Sequence, residues 1–416
     1  MSPTSPSSRS RAASGLAAGS VVSGVLAYVF FAASTRGLGA EAAAPVAVLW
    51  SWWGFAAAGL TFPVQHWITR TAAVSGEGAV RAARGTPARL VAVVVVVTGV
   101  GAWLLREPLF GGDGRFALLV ALVTAGAAGM GVVRGLLAAR RRFAAVGAVL
   151  VAENLVRCVA ALGLVVLDVD DPAAYGAALV LGYAACAGWV SAWRTLPDQH
   201  PDASGVGDAG RASAFLGSAA GAQVVAQAVL TGGPVLLAVL GGSPTDVTVL
   251  FAALALYRAP YTVLVGQVAQ ATGALARLVD ARRLDRLRRV EVALLASTGV
   301  GVVVGAAVGA GPGPWLVRLV FGPDVRVEQS VSAALAVGSV LALATLLQGV
   351  VLLAHDRPER TLLAWLLALV PAAAVLVDAP GSATTTVVAA FVAAQATAWV
   401  LLAVATHRAR SALSDA

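Results

Sequence analysis

The chain has 416 residues, 59% of them hydrophobic and only 12% charged, with a formal net charge of +8. Such a composition excludes a soluble globular protein of this length and leaves no room for a sizeable domain outside a membrane. The positive balance does not point to nucleic acid, because the basic residues sit on one side of a membrane pattern. All 29 of them are arginine, and the lack of lysine beside abundant Ala, Val and Gly reads as compositional bias. The two cysteines, Cys158 and Cys186, define neither a metal spacing nor a disulfide framework and read as small packing residues.

About twelve apolar runs of roughly 20 residues follow one another, each long enough to span a hydrocarbon core. In chain order they fall at 13–34, 43–67, 88–105, 115–138, 145–167, 172–193, 213–239, 246–272, 290–311, 330–354, 361–378 and 383–406. The first begins like a secretory signal but is too long for one, and it counts as span 1. With Met1 cytoplasmic, the even-numbered gaps with the span ends that flank them and both tails carry 22 arginines, and the odd-numbered gaps with theirs carry five. That asymmetry predicts an all-α, multi-pass protein of the cytoplasmic membrane with both termini inside. The stretch 277–289, with six arginines and two aspartates, predicts a short charged surface helix.

The longest polar gap separates six spans from six. It defines an N-terminal lobe over 1–195, a cytoplasmic linker over 196–212 and a C-terminal lobe over 213–416. Equal even halves keep the same orientation, so a duplicated unit forms a parallel repeat. The turns Leu38-Gly39-Ala40-Glu41 and Leu240-Gly241-Gly242, the latter followed by Asp246, occupy matching places in the two halves. Pro63, Pro234, Pro260 and Pro371 lie inside spans, where they bend helices.

Two arginines stand out near span centres, Arg157 in span 5 and Arg258 in span 8. A guanidinium at that depth needs water, a partner or a ligand. Arg157 follows Glu153 by one turn, with Asn154 beside them, which fits either a self-neutralised structural pair or a polar patch on a cavity wall. Arg258 has no carboxylate within a turn, which favours an anionic ligand such as phosphate or pyrophosphate. Gln223 and Gln227 share a face of span 7. Gln267 and Gln270 follow in span 8, with Gln65, His66, Gln348 and Gln395 elsewhere. Amides can bind sugar hydroxyls in a wet cavity or bond between helices. No His/Cys/Asp cluster has metal spacing, no Gly-rich phosphate loop precedes a Lys, and no Ser-His-Asp order exists. Neither a catalytic residue, a metal nor a cofactor is expected.

Three segments carry a resemblance: YVFFAASTRGLGAEAAAPVAV (Tyr28 to Val48), RGLLAARRRFAAVGAVLVAENLVRCVAAL (Arg134 to Leu162) and LFAALALYRAPYTVLVGQVAQATGALARL (Leu250 to Leu278). With Phe321-Gly322-Pro323 before span 10, the chain resembles polysaccharide flippases of the multidrug/oligosaccharidyl-lipid/polysaccharide (MOP) exporter superfamily. The resemblance implies two six-helix lobes around a central cavity. It further implies movement of polyprenyl-pyrophosphate-linked oligosaccharide from the inner to the outer leaflet, with membrane lipids and polysaccharide assembly proteins as partners. Arg258 matches the region where such flippases carry a span-8 arginine. The alternative is a multidrug-type small-molecule or cation antiporter of the same superfamily, for which Glu153 is the one candidate coupling acid. A membrane glycan polymerase or ligase needs a larger outer loop than the 311–329 gap offers.

Overall fold

The computed structural model describes residues 6–193, 221–265, 268–379 and 381–414. The expected linker and Gln267 lie outside the described residues, and the side chain of Gln270 does too. Helices and turns account for the described residues, with no strand among them. The chain divides into two compact units, Met1–Ala209 and Gly210–Ala416.

The first unit runs α1 (Pro6–Ala42), α2 (Ala44–Ala56), a π turn (Ala57–Thr61), α3 (Phe62–Ala83), α4 (Gly85–Leu104), α5 (Arg106–Phe110), α6 (Arg115–Ala139), α7 (Phe143–Val166) and α8 (Pro172–Leu181), ending in a 3-10 stretch, Gly182–Trp193. Helix α6 is its hub, touching α2, α3, α4, α7 and α8, while α1 lies along α7. In the second unit α9 (Gly221–Thr231) leads into α10 (Gly233–Val239), α11 (Pro244–Tyr257), α12 (Ala259–Val265), α13 (Val268–Asp280), α14 (Leu284–Ala310), α15 (Gly313–Phe321), α16 (Gln329–Ala354), α17 (Pro358–Asp378) and α18 (Ala383–Ser414). There α16 packs on α14 and α18, and α18 on α17.

Among the described residues nine helices are long and apolar enough to span a membrane, and two bent pairs raise the number to eleven. The remaining expected run, 172–193, is α8 followed by the 3-10 stretch, so it is broken rather than continuous. Proline explains the bends. Pro234 follows a 61° break between α9 and α10, and Pro260 a 53° break between α11 and α12. Each removes a backbone N–H and crowds the preceding turn. Pro371 sits inside α17. The valines of α4 (Val93, Val96, Val97, Val100) and α14 (Val300, Val303, Val304) are exposed. A row of apolar side chains facing outward is stable against lipid tails, not water.

The segment 277–289 differs from expectation. No single surface helix forms: α13 ends at Asp280, Arg282 takes the left-handed region at φ 46°, and α14 starts at Leu284. The turn recurs through the fold. Backbone N–H groups of Arg142, Val169, Gly242, Arg283 and Arg357 donate to the carbonyls of Leu137, Leu164, Leu237, Leu278 and Leu352 at 2.8–3.0 Å. This six-to-one bond closes a helix end with a left-handed residue just before the donor. Four of the five left-handed residues are charged, Arg141, Asp168, Arg282 and Asp356. At another turn Arg115 bridges Asp113 and Asp171 at 2.8 Å each, tying the loop before α6 to the start of α8. The Arg115 guanidinium holds the Asp113 carboxyl below the ordinary carboxylate range.

Helix α14 approaches α16 closely at Gly309. A Cβ there would lie 2.6 Å from Ala333 Cα and 2.8 Å from the Ser332 carbonyl oxygen. The Ser332 hydroxyl donates to the Gly309 carbonyl at 2.7 Å. Both obstacles are backbone, so Gly309→Ala must push the helices apart. We expect it to cost about 1–3 kcal/mol, read as a lower Tm of the purified protein; an unchanged Tm would show that the contact is loose.

Candidate functional site

In the first unit α7 carries Glu153, Asn154 and Arg157 on one buried face. Arg157 has no exposed surface. Its Nη2 donates to Glu153 Oε1 at 2.5 Å, its Nε to the Leu179 carbonyl at 2.8 Å and its Nη1 to Asn154 Oδ1 at 3.5 Å. The guanidinium carbon sits 4.9 Å from the Trp53 ring centre and 5.1 Å from that of Tyr183. Trp53 Nε1 donates to Glu153 Oε1 at 3.4 Å, and Asn154 Nδ2 reaches Ser23 Oγ on α1 at 2.8 Å. Glu153 is thus engaged from two sides. Gly182, where α8 gives way to the 3-10 stretch, is required by this packing: a Cβ would stand 2.3 Å from Arg157 Nε. The three residues form an internal knot joining α1, α2, α7 and α8.

Sequence reasoning singled out Arg157 and Arg258 and gave no role to Arg134, which falls inside the expected span 115–138. It lies within α6. Its Nε is buried without a hydrogen-bond partner among the described residues, and its guanidinium carbon is 5.3 Å from the Phe62 ring centre. Glu153 attracts it electrostatically. The signal was present, since five residues separate Arg134 from the end of α6, more than one helical turn. By contrast Arg140, just past the helix, is paired with Glu77 at 2.8 Å.

Arg258 occupies the break between α11 and α12, is 9% exposed, and its guanidinium carbon lies 5.4 Å from the Phe251 ring centre. It acts electrostatically on Tyr261, which lies beside the Gln223 side chain. Gln223 and Tyr261 line a cavity of about 120 Å³ within the second unit, with walls from α9, α12, α16, α17 and α18. Gln227 is not among its walls; its carbonyl accepts from Thr231 Oγ1 at 2.8 Å. The structure therefore brings Glu153, Asn154 and Arg157 together in one unit, and Arg258 near Gln223 by way of Tyr261 in the other. No group of three or more His, Cys, Asp or Glu able to hold a metal occurs among the described residues.

The fold is that of the MATE transporters of the MOP superfamily. The chain superposes on an inward-facing multidrug resistance MATE family transporter with a TM-score of 0.69 at 14% identity, covering 94% of this chain and 96% of the other. An outward-facing multidrug resistance MATE family transporter gives 0.60 at 17% identity (97% and 96% covered), and a eukaryotic MATE transporter 0.60 at 13% (97% and 98%). The chain belongs to the same family as the uncharacterized protein Rv1510 of Mycobacterium tuberculosis strain H37Rv, with 30% identity over 344 residues, 78% of this chain and 74% of the relative. The counterpart in strain CDC 1551 matches equally. No protein-family model matches. These comparisons bear out the expected multi-pass membrane fold, whose solved neighbours are transporters of the MOP superfamily. They do not support the polysaccharide-flippase branch, because the solved neighbours are multidrug transporters.

Proposed function

We propose that the protein is a transporter of the cytoplasmic membrane, with both termini inside, that works by alternating access on an anionic, lipid-linked substrate. The observation that carries this is the balance of charge at membrane depth. Among the described residues Arg134, Arg157 and Arg258 lie within spans, and Glu153 is the one acid near a span centre. That acid is hydrogen-bonded to Arg157 and Trp53. With Arg157 neutralised by Glu153, Arg134 and Arg258 remain as positive charge in excess, which favours a phosphate- or pyrophosphate-bearing cargo. A polyprenyl-linked oligosaccharide has such a headgroup, and membrane lipids and polysaccharide assembly proteins are its natural company.

Multidrug-type antiport is the second reading, and the solved neighbours favour it over the first. Against it stands Glu153, which as a coupling acid would have to leave Arg157. Mass spectrometry of polyprenyl-linked glycans in membranes of a deletion strain separates the two. Build-up of one lipid-linked oligosaccharide supports the first reading and identifies the cargo. Unchanged glycans with altered sensitivity to cationic drugs move the assignment to the second.

A further inference from the structure

The cavity in the second unit holds an unanswered set of polar groups. Gln395 on α18 is 0% exposed and lines it, yet neither its amide nitrogen nor its amide oxygen has a hydrogen-bond partner among the described residues. Two such groups left bare are costly, so a stable fold needs something in the cavity that both donates and accepts. The other walls fit the same requirement. Gln223 and Tyr261 contribute an amide and a phenol. The Thr345 hydroxyl donates to the Ala342 carbonyl at 2.8 Å, which leaves its lone pairs to accept. Trp365 supplies a flat apolar wall and is 4% exposed.

Charge is missing from this cavity: among the described residues no Asp, Glu, Arg or His lines it. A bare ion would lose its hydration with no opposite charge in return. The space of about 120 Å³ greatly exceeds the roughly 10–15 Å³ one water occupies, and approaches the ~150 Å³ of an apolar cavity that admits one benzene ring. One small ring-sized molecule bearing hydroxyls matches the volume, the aromatic wall and the amides together.

We propose that this cavity is a binding site for a neutral polyhydroxylated molecule, either a free polyol or monosaccharide or one sugar unit of a lipid-linked glycan, held by Gln395, Gln223 and Thr345 against Trp365. The site stands on the cavity alone and does not require the flippase reading.

The test uses the full chain in lipid nanodiscs, with Tm followed against D-glucose and, separately, against a polyprenyl-phosphate-linked glucose incorporated in the disc. A saturable rise of about 2–5 °C is expected with at least one probe. Free glucose acting alone identifies a soluble ligand, and the lipid-linked probe acting alone identifies a membrane one. Gln395→Leu should abolish the shift. A second variant guards against misfolding: a Cβ on Gly349, another wall residue, meets only Thr361 Cγ2 at 3.6 Å. Gly349→Ala therefore folds and, by narrowing the cavity, should weaken binding about tenfold. No saturable shift with either probe, or an equal shift in both variants, overturns the site and leaves water as its content. Sugar binding without glycan build-up in the deletion strain would keep the site and remove the flippase reading.

Discussion

Arg157→Met should destabilise the protein by about 3–5 kcal/mol, the usual consequence of stripping one member from a buried ion pair. The Glu153 side chain is 4% exposed and would keep only the long bond from Trp53. The Leu179 carbonyl, which now accepts from Arg157 Nε, would lose its partner at the point where α8 yields to the 3-10 stretch. Glu153→Gln alone should cost a similar amount, because a guanidinium enclosed by Trp53 and Tyr183 has no route to a phosphate that could replace the carboxylate. The double change Glu153→Gln with Arg157→Met should recover most of the loss, to within about 1 kcal/mol of the parent. Thermal melts of the four proteins in one detergent give the coupling. Additive losses would mean that the two charges do not act as a pair, and full transport in the double variant would show that the knot is structural.

Arg258→Ala is expected to lower transport about 10- to 100-fold while moving Tm by no more than a few degrees. The range corresponds to roughly 1.5–3 kcal/mol for hydrogen bonds between a charged donor and an anionic group. Its position explains why stability should survive. The residue caps α11 at a break already imposed by Pro260, and the backbone there keeps its Arg258 N–H to Leu254 bond whatever the side chain. Arg258→Lys should retain the charge but lose the planar fork, giving partial activity. Lipid-linked glycan levels in a complemented deletion strain, with protein amounts matched, measure both variants against the parent. Full transport by Arg258→Ala removes the headgroup role, and a collapse in Tm would assign the residue to folding.

Much of the architecture could be read from composition alone, because bilayer thickness sets the length of every apolar run. The runs at 88–105, 115–138, 145–167 and 330–354 match α4, α6, α7 and α16 to within a few residues. Pro234 and Pro260 marked the two bent pairs. What could not be read was which side of each helix faces inward. A lipid-bathed helix is apolar all round, so the amphipathic stripe that betrays a core face in a soluble protein is faint. Arg157 could therefore be found as a charge but not seen as enclosed, and Arg134 was hidden behind the Arg140–Arg142 triplet. Gln395 was visible as one amide among several. Only its lack of partners, a property of the packed neighbours, sets it apart.

The π turn at Ala57–Thr61 alters how the second span must be counted. Trp52 Nε1 donates to Thr124 Oγ1 at 3.0 Å, and Thr61 Oγ1 donates to the Ala127 carbonyl at 2.8 Å, so both residues meet α6. At about 100° per residue, nine steps along an unbroken α-helix would set Trp52 and Thr61 on opposite sides. A π turn takes in one extra residue and winds back the phase by about that angle, which brings both toward the same neighbour. A helical wheel drawn straight through the span therefore assigns the wrong inward side to everything after Thr61. Deleting one residue from the turn would return it to plain α-helix and leave Gln65 and Ile68 facing as they do, whereas deleting one from the α-helix before it would swing them by about 100°.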